Sequence, residues 1–266
     1  MEKSAIRKPA FMPYVCCGDP SADFTIKLVE TLVANGADAI EFGIPFSDPI
    51  ADGKTIQLAS SRALQNGMTP KKAIELISVL RKKKINVPII VMTYYNIIYA
   101  NGIENFLRRI KKAGASGLIV PDVPLEESDS LRKLCAEANI DLVYLITPNC
   151  PDERIKKIAK KSRGFLYAVS VLGITGARNE LGLDVTEFIK RAKKQTNLPI
   201  AVGFGISKPK HVRALAKAGA DGIIVGSEIV NIYSKYIRNG AFDEEKALDD
   251  VGEFARRMSY EKNKHI

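Results

Sequence analysis

One short pattern occurs three times along the chain, and it narrows the fold more than any other feature. Asn35-Gly-Ala-Asp-Ala-Ile-Glu-Phe-Gly43 is echoed by Ala113-Gly-Ala-Ser-Gly-Leu-Ile-Val-Pro-Asp122 and by Ala218-Gly-Ala-Asp-Gly-Ile-Ile-Val-Gly-Ser227. In each, a helical pattern ends at a glycine, the residue that enters the left-handed closing conformation without steric cost. A short apolar run follows, as expected of a parallel strand buried on both faces. The run ends in Gly, Pro, Asp or Ser, which are loop and ligand residues. A repeated unit of helix, turn and buried strand defines a parallel α/β fold.

Filling in between the repeats predicts eight strands, near Phe11–Cys16, Ala39–Gly43, Ile89–Thr93, Gly117–Val120, Asp141–Ile146, Phe165–Val169, Ile200–Gly203 and Gly222–Val225. A helical pattern follows each. Ser21 starts one, with Phe24, Leu28 and Leu32 on one face, and Thr69-Pro70 starts another as N-cap and first helical residue. Asp243–Glu261 reads as a C-terminal helix closing the wall. Eight such units in 266 residues suit a closed barrel, for which about 250 residues are typical. No G-x-G-x-x-G follows the first strand, which argues against a dinucleotide-binding open sheet. The expected architecture is a single (β/α)8 TIM barrel forming one domain over residues 1–266.

The charge balance bounds the partners. Forty Lys+Arg against 30 Asp+Glu leave a formal net charge of +10, which admits an anionic substrate, a nucleic acid or a membrane surface. The basic runs Arg81–Lys84 and Lys156–Lys161 flank apolar helical positions and read as solvated outer faces. None is interleaved with aromatics, so no nucleic-acid partner is expected. Four cysteines without a C-x-x-C pair, and only two histidines, give no zinc pattern, and no metal is expected. Cys16 and Cys17 should point to opposite faces of a strand as reduced thiols. The N-terminus lacks a signal-peptide core, and no apolar run approaches a membrane span. A cytoplasmic protein is the expectation.

Barrel chemistry sits at the C-terminal strand ends and in the loops after them. There the second strand runs into Glu41-Phe-Gly-Ile-Pro-Phe-Ser-Asp-Pro-Ile-Ala-Asp-Gly53. Alternation sends Ile40 and Phe42 to one face and Glu41 to the other. If the apolar pair packs against helices, Glu41 enters the barrel mouth, where burial raises a carboxyl pKa. A structural ion pair is the plainer alternative. Asp52-Gly53 alone would be only a turn signal, but with Glu41 it supplies two carboxylates over one pocket, an arrangement suited to acid–base work. Gly203-Phe204-Gly205 and Gly226-Ser227 end the last two strands, where glycine loops and a helix N-terminus can hold a phosphate. Gly173–Gly182 reads as a lid, and Gly176 could add a backbone donor. Tyr167 faces either the pocket or the helices.

These motifs resemble the tryptophan synthase α-subunit family across nearly the whole chain: Gly18-Asp19-Pro20, EFGIPFSDPIADG at 41–53, Gln57, Tyr94, Asn96, Pro121–Pro124, Gly173–Gly176, Gly203–Ser207 and Gly226-Ser227. The resemblance implies cleavage of indole-3-glycerol phosphate to indole and glyceraldehyde 3-phosphate. It implies Glu41, Asp52 and Tyr167 as catalytic residues, and Gly176, Gly205, Gly226 and Ser227 as the phosphate site. Tyr94, Thr175 and Phe204 would belong to the pocket and lid, and Asp122 to the pocket and subunit contact. The family implies no cofactor in this chain; pyridoxal phosphate belongs to a β-subunit partner, which would dock on Pro45–Asp52 and the lid in an α2β2 complex. Cys16 stands where many members have Thr. The family's first helix is expected to be missing at the N-terminus, leaving the barrel bottom less covered. Competing expectations are a stand-alone lyase that releases free indole, a non-catalytic activator barrel, and a nucleic-acid binder.

Overall fold

The structure is a computed structural model that describes residues 9–169, 183–203, 205–238 and 240–263. The chain runs β1 (Ala10–Cys16), α1 (Ala22–Ala34), β2 (Ile40–Gly43), α2 (Lys54–Gln65), α3 (Pro70–Lys82), β3 (Ile89–Met92), α4 (Tyr95–Ala100), α5 (Ile103–Ala113) and β4 (Gly117–Ile119). It continues through α6 (Asp129–Glu137), β5 (Asp141–Ile146), α7 (Asp152–Lys161), β6 (Leu166–Val169), α8 (Leu183–Lys193) and β7 (Ile200–Gly203). The last elements are α9 (Pro209–Lys217), β8 (Gly222–Val225), α10 (Ser227–Ser234), the short strands β9 (Ile237–Arg238) and β10 (Ala241–Phe242), and α11 (Glu244–Asn263). Strands β1 to β8 pair in parallel in chain order, and β8 closes on β1. All eight expected strands are present within a residue of their expected bounds.

Local chemistry places these elements. The Ser21 hydroxyl accepts from Phe24 N–H at 3.0 Å and Thr69 from Lys72 N–H at 3.3 Å, so both expected N-caps start their helices. Helix α5 stops at Gly114, whose φ of 103° fits the glycine read as a helix stop. Phe24, Leu28, Ile40, Phe42, Leu80 and Phe106 fill the layer between barrel and helices. Met12, Ala39, Ile90, Ile119, Val143, Phe165, Tyr167, Ala201 and Ile224 fill the barrel itself. Burying each large apolar side chain stabilises by roughly 1.5–3 kcal/mol.

The outer-face reading of the basic runs holds for Lys82, Lys83 and Lys84 but not for Arg81. Arg81 is half-buried and donates to Gly114 O (3.1 and 2.8 Å) and Val87 O (2.8 Å). It thereby collects carbonyls at the helix ends below β3 and β4, a fork lysine cannot reproduce. Helix α10 ends at Ser234, and a β9–β10 hairpin follows it, closed by Phe242 packing edge-on to Phe24 at 4.7 Å. At the barrel bottom, Phe11 N–H donates to Asp38 Oδ2 at 2.7 Å, and Lys262 from α11 pairs with Asp38 and donates to Gly36 O at 2.9 Å. The C-terminal helix is thus tied to the bottom of the barrel. The expected absence of the family's first helix falls on residues 1–8, which lie outside the described ones. No described helix is long and apolar enough to cross a membrane.

Candidate active site

The register of β2 puts Glu41 level with Tyr14 on β1 and Ile90 on β3. Ile40 and Phe42 pack outward under the helices, so Glu41 points into the barrel mouth, 1% exposed. One oxygen accepts a hydrogen bond from the Tyr167 hydroxyl. Oε2 finds no partner among the described residues. An orphaned carboxylate oxygen inside a core is costly. Burial, then the neighbouring charge of Asp52, push the Glu41 pKa up to about 8. Glu41 is therefore a neutral acid at neutral pH, which argues against the ion-pair alternative.

Asp52 lies in the β2–α2 loop and is only half-buried. Tyr94, at the end of β3, donates to Asp52 Oδ2 at 3.0 Å and accepts from Ala51 N–H at 3.1 Å. Gln57 Nε2 holds the Asp52 carbonyl at 2.8 Å. Burial raises the Asp52 pKa to about 6, opposed by the Tyr94 hydrogen bond. The two carboxyls therefore differ in charge at neutral pH. Asp122 accepts the Tyr95 N–H at 3.0 and 3.2 Å, so it holds the start of α4 and with it Tyr94.

Two close approaches shape the floor. A Cβ on Gly43 would meet Tyr14 Oη at 2.2 Å, and one on Gly203 would meet Tyr167 at 2.4 Å. Glycine at these strand ends lets both tyrosines lie across the mouth. Tyr14 is the residue the sequence reading missed. It is buried, hydrogen-bonded to Cys16, and close enough to Glu41 and Asp52 that burial and their charges raise its pKa. The signal was available: Ala10, Met12 and Tyr14 alternate inward along β1. Cys16 Sγ meets Ser60 Oγ at 3.8 Å and Cys17 Sγ meets Met68 Sδ at 4.0 Å. All four thiols are free and buried, and burial lifts that of Cys16 to about 12.

Gly205 and Gly226 sit just past β7 and β8. Gly205 has φ 69°, a left-handed conformation that favours glycine. Gly226 caps α10 without a side-chain hydrogen bond, so the N–H groups of the first turn, beginning at Ser227, lack a side-chain cap. That is the donor arrangement an anion fits. Thr175, Gly176 and the rest of Gly173–Gly182, together with Phe204, lie outside the described residues. A surface groove of about 420 Å³ between α5 and α6 is lined by Leu107, Lys111, Leu134 and Glu137. It holds no buried carboxyl, so the convergent polar groups mark the barrel mouth instead.

A closed parallel barrel whose C-terminal mouth holds a buried, half-partnered carboxyl and a second, tyrosine-bound one has the architecture of a (β/α)8-barrel enzyme. The family model for the tryptophan synthase alpha chain matches residues 1–262, and the chain belongs to that family. It is 51% identical to the tryptophan synthase alpha chain of Methanocaldococcus jannaschii over 239 residues, 89% of this chain and 84% of that one. It is 44% identical to that of Methanothermobacter thermautotrophicus over 246 residues, 92% and 89% of the two chains. A structure from work on mutual activation of the tryptophan synthase α2β2 complex of Pyrococcus furiosus superposes with a TM-score of 0.88 at 39% identity, covering 95% of this chain and 98% of that one. Another, of the P. furiosus tryptophan synthase complex, gives 0.82 at 38% identity, covering 92% and 98%.

Proposed function

We propose that the chain is the α-subunit lyase that cleaves indole-3-glycerol phosphate to indole and glyceraldehyde 3-phosphate, with Glu41 and Asp52 as the working pair. The observation that carries this reading is the buried, half-partnered Glu41, its pKa raised by burial and by the nearby Asp52, which Tyr94 holds. Neutral Glu41 gives its proton to indole C3, which turns the ring into an iminium-like electron sink. Ionised Asp52 accepts the indole N–H and stabilises the positive charge that grows there. The Glu41 carboxylate then takes the proton of the glycerol hydroxyl next to C3. The C–C bond breaks, its electron pair restores the aromatic ring, and the aldehyde leaves. Glu41 ends protonated as it began, so atoms and charge balance.

Tyr167 orients Glu41, and Tyr94 orients Asp52. Gly205, Gly226 and Ser227 hold the phosphate with backbone donors, joined by Gly176. Phe204 and Thr175 complete the pocket and lid. This chain's part of the reaction requires neither metal nor organic cofactor, and pyridoxal phosphate belongs to the β-subunit. Ile50 (82% exposed) in the Asp52 loop and Tyr99 (69%) on α4 are large apolar groups left bare beside the mouth, which supports docking of a β-subunit there. The deciding experiment is steady-state cleavage by the purified chain, alone and with a β-subunit. Slow cleavage alone and many-fold acceleration by the partner are expected. Equal and fast rates would favour a stand-alone lyase, and no cleavage in either case would overturn the reading.

A further inference from the structure

We infer that Arg62 is a positioning residue that sets the spacing between the acid–base end and the phosphate end of the site, using Asp19 as a buried anchor. This rests on the roles proposed above for Asp52 and for Gly226 and Ser227. Asp19 follows β1 and is wholly buried. It accepts Arg62 Nε at 2.8 Å and Nη2 at 2.7 Å from α2, and the Tyr233 hydroxyl at 2.6 Å from α10. Arg62 Nη2 also donates to Ser234 Oγ at 3.0 Å on α10. Nearer the pocket, Thr55 and Asn231 link the same two helices at 3.3 Å.

These two helices each carry one end of the site. Helix α2 starts immediately after Asp52-Gly53, and Gln57 in its first turns grips the Asp52 carbonyl. Helix α10 starts at Ser227 with Gly226 as its cap. Eight residues at 1.5 Å each make α10 only about 12 Å long, so a tilt at Ser234 reaches Ser227 directly. A substrate spanning both ends senses any change in their separation, and misplacement by 1 Å can cost about 100-fold in rate. A buried ion pair adds little stability over an apolar replacement. Its planar fork does fix direction, which a lysine would not.

The test separates spacing from folding. Tyr233→Phe combined with Ser234→Ala releases α10 and leaves the Asp19–Arg62 pair intact, so no buried charge is stranded. Arg62→Lys keeps the charge and loses the fork. The full-length variants are assayed for kcat and KM with indole-3-glycerol phosphate, for glycerol 3-phosphate affinity and for Tm. Glycerol 3-phosphate, which reaches only one end, should bind within about 2-fold of wild type, while kcat/KM falls about 10- to 100-fold. A lower Tm with kcat/KM unchanged in both variants would overturn the inference, and so would loss of glycerol 3-phosphate binding in step with kcat/KM. Failure of the wild-type chain to cleave would instead remove the reading of the site on which the inference stands.

Discussion

Glu41 and Asp52 are the same functional group in two environments, and solvent access separates them. Glu41, 1% exposed, titrates at about 8, whereas half-buried Asp52, with a hydrogen bond from Tyr94, titrates at about 6. Glu41→Gln should keep glycerol 3-phosphate binding and lose about 10²–10⁴-fold in kcat. A rate near wild type would exclude Glu41 as the proton carrier. The same group governs stability against pH. Folded Glu41 holds its proton up to about 8, while the unfolded carboxyl releases it near its ordinary 4.5. The folded state therefore binds the extra proton within that window, and stability falls as pH rises through it. Glu41→Gln has no such titration. Its Tm should exceed that of wild type by a margin that grows between about pH 5 and pH 9, by several degrees at the upper end. A margin independent of pH in calorimetry would contradict the raised pKa.

At the scale of elements, strand ends and helix starts carry the chemistry. Strand β7 ends at Gly203, where Tyr167 passes over the backbone, and Gly205 then turns with φ 69°. Gly205→Val forces a branched side chain into that turn, and Ser227→Glu sets a second negative charge against the bound phosphate. Each should raise KM for indole-3-glycerol phosphate by about 10- to 100-fold, the range of one or two charge-assisted hydrogen bonds. Tm should move far less for Ser227→Glu, since Ser227 is exposed, whereas Gly205→Val also carries the backbone strain of φ 69°. An unchanged KM in both variants would remove the phosphate assignment. The repeated Gly-Ala motif made the strands legible because every buried parallel strand needs an apolar run and every helix before it a stop. The β9–β10 hairpin escaped, because two strands of two residues each are too short to show a period. Arg81 escaped because a basic run looks the same whether its members reach solvent or backbone carbonyls.

For the whole molecule, the mouth side and the bottom side do different work. The bottom is tied shut by Asp38, Lys262 and the Arg81 fork, and the mouth carries the carboxyls and the bare Ile50 and Tyr99. Tyr99→Asp, which touches none of the proposed catalytic groups, should leave cleavage by the isolated chain intact and weaken β-subunit binding and acceleration. Titration calorimetry against the partner, with the steady-state rate, measures both. Undiminished binding would place the docking surface elsewhere. The sequence alone determined the barrel, the eight strands in order, and the candidacy of Glu41, Asp52 and the glycine loops, because strand periodicity and turn chemistry are local properties of a chain. Only the tertiary structure decided that Glu41 is neutral, that Tyr94 serves Asp52 and Tyr167 serves Glu41, that Tyr14 shares the pocket, and that Asp19 joins α2 to α10. Those facts depend on which side chains meet across the closed barrel and on how much water burial removes, and neither is written in any one stretch of residues.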